Sequence, residues 1–395
     1  MTLFSSRLAA PIALLALSAP LACGGTTSNP STDGDASTDA GTSTDGGSVV
    51  DSSVTCSRST QLCSGRCVDT MNDPTNCGSC GHSCGASSAC AMSMCQATGN
   101  DPVFAFSKLF VGDTDRSGVT SQTAWKAYGA DIDGKTTDRN STDVCTLAAG
   151  APKSTQTDGT SGIDNSWGEN ILPIFLSVGG PDLGKKINDA INAGAFTNML
   201  KIDGLGTQTS YASLPSAFFS GAPLGMAPAW NGSDVWPVDA TSVMNGDVTK
   251  PMTLFPTASM TNRVWVSGTI AGGFKLPLAL GGVTLQLPLT HSTVSMRIDA
   301  TNQSAVEGIV SAVILTEDFV TALRTIAGRI STSLCQGSAF DSIAQQIRQA
   351  SDIKGDGTNV AGTSCDAISI GIGFEAKRVQ LGGVVTPTIA PNPCP

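Results

Sequence analysis

Eight cysteines fall within forty positions: Cys56, Cys63, Cys67, Cys77, Cys80, Cys84, Cys90 and Cys95. No other feature limits so sharply what this chain can fold into. A segment this short, with almost nothing apolar between its cysteines, cannot bury enough surface to hold itself together, so covalent staples must do so. The expectation is a small disulfide knot over residues 56–95. Zinc is the rival, because Cys77-x-x-Cys80 with His82 close behind has ligand-like spacing. An oxidising compartment disfavours it. Five cysteines lie elsewhere: Cys23, Cys145, Cys335, Cys365 and Cys394. The last four allow three connectivities. The preferred one joins Cys335 to Cys365 across an intervening helix and Cys145 to Cys394, pinning the C-terminus.

Residues 1–22 read as an export signal, with Arg7 as its one positive charge and an apolar run over 8–17 too short to span a bilayer stably. The stretch Leu21-Ala22-Cys23-Gly24 resembles a bacterial lipobox, with Pro20 where an aliphatic residue is usual. The resemblance implies acylation of Cys23, and Gly24 after it implies the outer membrane. The alternative is ordinary cleavage near Ser18 or Ala22, giving a secreted protein. Residues 23–55 are mostly Gly, Ser, Thr and Asp, with almost nothing apolar and no Lys, Arg or Glu. Such a tract cannot form a core and serves as a tether, about 30 Å in root-mean-square span.

The phrase CSGRCVDTMNDPTNCGSCGHSC within the knot resembles the Cys-rich module of the plant stigma-specific protein family. Similar modules recur in bacterial surface lipoproteins behind tethers of this kind. The resemblance implies a disulfide framework and names no binding partner.

Residues 100–395 read as a mainly β domain, antiparallel and β-sandwich-like, with a few helices. Net charge is −10, which argues against nucleic acid, because phosphate binding needs clustered Lys and Arg. All but four of the 32 acidic residues are Asp, the exceptions being Glu169, Glu307, Glu317 and Glu375. Asp favours turns and cation loops over helix interiors. Residues 103–111 read as a strand, 182–193 as a helix, and 209–260 as irregular. A hairpin turns at Gly281-Gly282, joining 276–280 to 283–289. Its inward set, Val283, Leu285, Leu287 and Leu289, changes phase before Val294, Met296 and Ile298, which marks a bulge or a new strand. Two helices follow, one capped by Thr316 and one over 339–350. Residues 365–376 then alternate as a half-buried strand, with Ile368, Ile370, Ile372 and Phe374 inward.

The chemistry-bearing stretch is 112–167, where three acidic turns follow one another: GDTDRSG, YGADIDG and TDGTSGIDNSWG. Asp113-x-Asp115-x-Ser117-Gly118 matches the first half of an EF-hand loop, but Ala124 stands where the bidentate Glu should be. A looser oxygen shell can still gather Asp113, Asp115, Ser117, Asp131, Asp133, Asp158 and Asp164 around one Ca²⁺. Trp230 and Trp236 bracket Asn231-Gly232-Ser233-Asp234, a pairing suited to stacking on sugar rings. The weightier reading of the two tryptophans is packing in the core. No GxSxG elbow, P-loop or HExxH is present, and of the two histidines His82 lies in the knot and His291 in a strand. The chain therefore reads as a cell-surface lipoprotein that binds surface carbohydrate or protein. The alternative is a secreted carbohydrate-active hydrolase using paired Asp carboxylates.

Overall fold

Val103–Phe110 (β1), Thr197–Ile202 (β2), Ser216–Gly221 (β3), Val235–Asp239 (β4), Thr253–Phe255 (β5), Ser259–Thr261 (β6), Val264–Val266 (β7), Phe274–Leu280 (β8), Val283–Ile298 (β9), Ser304–Leu315 (β10) and Ala367–Val385 (β11) join in one sheet of eleven strands. The computed structural model describes residues 56–57, 60–83, 88–97, 101–180, 182–270, 272–280, 283–335, 337–387 and 394. The export signal, Cys23, the tether and Cys84 lie outside the described residues.

Strand order is β5-β3-β2-β1-β11-β10-β9-β7-β6, with β8 added on β9, and β4 set beside β11 and β3. All pairings are antiparallel except β4 on β11. The expected mainly β architecture is observed. The two ends of the path, β5 and β6, are joined by the short turn 256–258. Tyr211, just before β3, exchanges backbone hydrogen bonds with Met260 of β6 at 2.8 and 2.9 Å. The sheet thus rolls until its ends meet, which removes the exposed edges that invite aggregation. Inside the roll, Phe104, Phe106, Phe218, Phe255, Trp265 and Phe374 share one buried cluster with the leucines of β8 and β9.

The β8–β9 hairpin has the expected register, Leu280 opposite Val283 and Leu276 opposite Leu287. The phase change in β9 is a bulge, not a new strand. Thr290 faces Val313 and Thr293 faces Ser311, so β9 carries one extra residue, and His291 takes a φ of 42°. Helices Leu172–Gly179 (α1), Leu183–Asn192 (α2), Thr316–Ile330 (α3) and Gly337–Gln349 (α4) pack apolar stripes against the sheet. In α2 the buried stripe is Leu183, Ile187 and Ile191; in α3 it includes Phe319, Val320, Leu323, Ile326 and Ala327.

Four expectations need correction. Thr316 does not cap α3: it is the first helical residue, and its buried hydroxyl bonds to Ser351 Oγ at 2.7 Å. Residues 209–260 are not irregular throughout, since they supply β3, β4, β5, most of β6 and a small ladder of Val243–Met244 on Asp247–Pro251. Pro and Gly there punctuate short strands instead of abolishing them. The strand β11 is not half-buried. Its residues 367–374 are buried on both faces, because the acidic turns lie across the Ser369-Gly371-Gly373 side.

The remaining correction concerns the cystines. Cys145 pairs with Cys365 and Cys335 with Cys394, at Cα separations of 5.2 and 5.1 Å. Backbone pairing decides this. Thr146 N–H donates to Thr363 O at 2.7 Å and Cys365 N–H to Thr146 O at 3.0 Å, which lays the two cysteines side by side.

Candidate metal centre

The acidic turns are positioned by the glycine face of β11. Asn165 sits at the centre of the contact and is 2% exposed. Its Nδ2 donates to the carbonyls of Trp125, Tyr128 and Gly371 at 3.0, 2.9 and 3.1 Å. Its Oδ1 accepts from Gly168 and Gly371 N–H, both at 3.0 Å. One buried amide thus ties two turns to the strand with every hydrogen-bonding group engaged. The first turn docks differently: the Arg116 guanidinium lies over the rings of Phe110 and Tyr128, each 5.4 Å away, and donates to Gly308 O. Burial pushes the Tyr128 phenol up to about 12, and its hydroxyl donates to Thr114 O.

Of the seven residues expected to share a cation, three converge. Asp131, Asp133 and Asp164 each offer a carboxylate oxygen within 4.8 Å of the others. Two oxygens bound to one Ca²⁺ are separated by at most about 4.8 Å, twice a ligand distance near 2.4 Å, so this spacing admits a single ion. Asp164, 3% exposed, accepts from the Ile132 and Asp133 N–H groups at 2.6 and 3.3 Å. Asp131 Oδ1 accepts from Gly134 N–H and Asp133 Oδ1 from Lys135 N–H. Asp133 Oδ2 is hidden from solvent and has no hydrogen-bond partner. Lys135 is turned elsewhere, onto Asp143 and the Asn359 carbonyl.

Asp158 lies within electrostatic reach, held by the Thr137 N–H and hydroxyl. Asp113, Asp115 and Ser117 do not join. Asp115 Oδ1 closes its own turn, accepting from Ser117 N–H, Ser117 Oγ and Val119 N–H, and these bonds lower its titration. Asp113 accepts from Gly184 N–H in the first turn of α2, at 2.8 Å. The half EF-hand signature is therefore an ordinary Asx turn beside a helix start.

The electrostatics of the cluster run one way. Burial, reinforced by neighbouring carboxylates, pushes Asp164 up to about 9 and Asp158 up to about 6. Two acids not anticipated from the sequence share this environment. Asp352, 7% exposed, is pushed by burial up to about 7 despite accepting from the Ser369 N–H and hydroxyl. Glu169 rises to about 7, again chiefly through burial, with Lys126 opposing. Sequence spacing offered no sign of Asp352, which lies nearly 200 residues from the turns.

Of the two tryptophans Trp236 lies in the core, whereas Trp230 is half-buried. Trp236 is 0% exposed, with its Nε1 donating to Ala222 O at 2.9 Å. Trp230 stacks on it, ring centroids 5.6 Å apart, so the inner ring has no open face.

In the knot, Cys56 pairs with Cys67, Cys63 with Cys80, and Cys77 with Cys90. The proposed zinc ligands Cys77 and Cys80 are thereby committed to cystines, and His82 Nδ1 is bonded to the Cys77 carbonyl oxygen at 2.6 Å. The Cys95 side chain lies outside the described residues. Cys77 and Cys90 share a buried cluster with Val103, Met199, Trp236 and Val379, so the knot packs on the outer side of the sheet within one unit, Ser53–Pro395. Residues 22–98 match the model of the stigma-specific STIG1-like protein family. This cysteine module is similar to that family. No curated protein and no solved structure matches the chain. Among the described residues, no helix is long and apolar enough to cross a membrane.

Proposed function

We propose that the chain is a bacterial cell-surface lipoprotein that binds or adheres to a surface partner, its acidic turns locked by one Ca²⁺ held by Asp131, Asp133 and Asp164. The observation that carries the cation reading is the meeting of three carboxylates, one deeply buried, with no ion pair to any of them among the described residues. A cation between the three would offset the negative charge that this spacing gathers around buried Asp164. Carboxylate oxygens at flexible angles suit Ca²⁺ better than a softer metal. The hydrolase alternative needs paired acids facing a substrate cleft. A cleft of about 990 Å³ is lined by Asp239 and Asp318, and the acids of the three turns do not line it.

The test combines calcium and pH. Without metal, Asp158, Asp164, Asp352 and Glu169 keep protons in the fold that the unfolded chain releases near pH 4. Stability is then fullest near pH 4 and is lost as pH rises towards 9. Calcium should flatten that decline and, a hundredfold above Kd, add about 2.7 kcal/mol. Melting curves in calcium and in chelator at pH 5 and pH 8 should diverge at pH 8, by several degrees. Asp164→Asn should erase the calcium shift, whereas Asp115→Ala should retain it. Identical curves with and without calcium at pH 8 would remove the cation from the proposal.

Anchoring is tested separately. Labelled fatty acid should enter the wild-type protein, and Cys23→Ser should move it from the membrane fraction to the soluble one. Full retention of the variant would overturn the lipid anchor and leave the secreted alternative.

A further inference from the structure

The last turn of α3 carries Arg329. Arg297, Arg324 and Arg348 each hold a carboxylate. Arg329 is in no ion pair among the described residues, and its Nε is hidden from solvent with no acceptor. A guanidinium is charged at every accessible pH, so a sheltered N–H without a partner is costly. The helix dipole accounts for a cation near a C-terminus, but only its charge, not a hidden donor.

Arg329 lines a cleft of about 990 Å³ between α3, the β8–β9 hairpin and the end of β3. Its deeper wall includes the buried rings of Phe196, Phe218 and Phe274. Gln286, Thr325 and Lys275 also line it, and Lys275 is exposed and enters no ion pair among the described residues. The two acids present leave Arg329 unanswered. Asp239 is engaged by the Thr241 N–H and hydroxyl, both at 2.8 Å. Asp318 is eleven residues earlier on the same helix, about 16 Å along its axis.

A free ion would leave such a volume mostly empty, whereas clefts of roughly 300–1,000 Å³ commonly enclose organic ligands. Guanidinium groups recognise carboxylate and phosphate through paired N–H donors. We propose that this cleft binds an organic anion carrying a carboxylate or phosphate group, with Arg329 taking the anionic group and Lys275 adding a second positive charge at the mouth. The aromatic wall receives the apolar faces of the ligand, and Gln286 and Thr325 its polar edges.

Calorimetric titration of the full-length protein, with calcium held constant, tests this independently of the cation site. The probes are trigalacturonate for carboxylate, glucose 6-phosphate for phosphate, and maltotriose as the neutral counterpart. At least one anionic probe should bind while maltotriose does not, and which of the two binds names the group. Arg329→Gln should weaken that binding about tenfold or more, the loss expected for a hydrogen-bonded charge. Arg329→Lys should fall between the two, because it keeps charge but not the planar fork. Arg324→Gln, on a guanidinium already paired with Asp341, should bind as wild type. Both Arg329 variants are checked for unchanged melting before titration, and the Lys variant decides the matter if the Gln variant unfolds. Failure of both anions to bind at millimolar concentration overturns the proposal. So does equal binding by maltotriose, or affinity unaltered in both Arg329 variants.

Discussion

Gly371→Ala should lower the melting temperature by roughly 5 °C, from a loss near 3 kcal/mol in a domain of this size. A methyl group there would stand 2.1 Å from the Tyr128 carbonyl oxygen and 2.7 Å from the Gly129 Cα. Both are backbone atoms, so no rotamer change relieves the contact. Overpacking of this kind costs about 1–3 kcal/mol by itself. The forced retreat of 128–129 also pulls Tyr128 O away from Asn165, loosening an amide that bonds Gly371 on both its N–H and its carbonyl. Each such buried bond contributes about 1 kcal/mol. Gly337→Ala is the control, because it opens α4 and meets nothing closer than 3.8 Å. Alanine in a helix favours the fold, so that variant should melt no lower than wild type. Equal melting of both variants would mean that the acidic turns do not rest on β11.

Gly371 also shows where the sequence could be read and where it could not. The alternation of Ile368, Ile370, Ile372 and Phe374 gave the strand and its inward face, and these residues are buried as expected. The same pattern put Ser369, Gly371 and Gly373 outward towards water, and that was wrong. Two glycines on one strand face signal close backbone approach as readily as exposure. Periodicity reports which residues can be buried together, not which distant loop comes to cover them. The hairpin register and the β9 bulge were legible because both are local, set by the two-residue gap between Leu280 and Val283 and by the phase of Leu289 against Val294. The candidate site was legible in part. Asp131 and Asp133 sit two apart on one turn, and only the fold brings Asp164 to them. Asp113 and Asp115 have the spacing of a cation loop, yet Asp115 Oδ1 is taken by N–H donors of its own turn and Asp113 Oδ2 by the Gly184 N–H at the start of α2. Asp352 and Arg329 left no mark in the sequence, since their importance comes from burial and from missing partners.

Removing the Cys145–Cys365 bridge should cost more than removing any other single bridge described in the domain. It closes 220 residues, against 59 for Cys335–Cys394. In the chain-entropy account the longer closure restrains the unfolded state by about 5 kcal/mol and the shorter by about 4 kcal/mol. The native side adds to the difference. Cys145 is 2% exposed, its N–H donates to Asn359 Oδ1 at 2.6 Å, and Thr146 is bonded to 363–365 on either side. That junction fastens the loop between the second and third acidic turns to the segment leading into β11, close to buried Asp352 and Ser369. Its loss should therefore raise hydrogen exchange over residues 130–165 as well as lower the denaturation midpoint. The Cys335 to Cys394 bridge ties the end of α3 to the C-terminus, and its loss should leave exchange over 130–165 unchanged. The comparison is between two double alanine variants, Cys145→Ala with Cys365→Ala and Cys335→Ala with Cys394→Ala, in urea. If the second pair proves the more damaging, or if exchange over 130–165 stays at wild-type levels in the first, the long bridge does not secure the acidic turns.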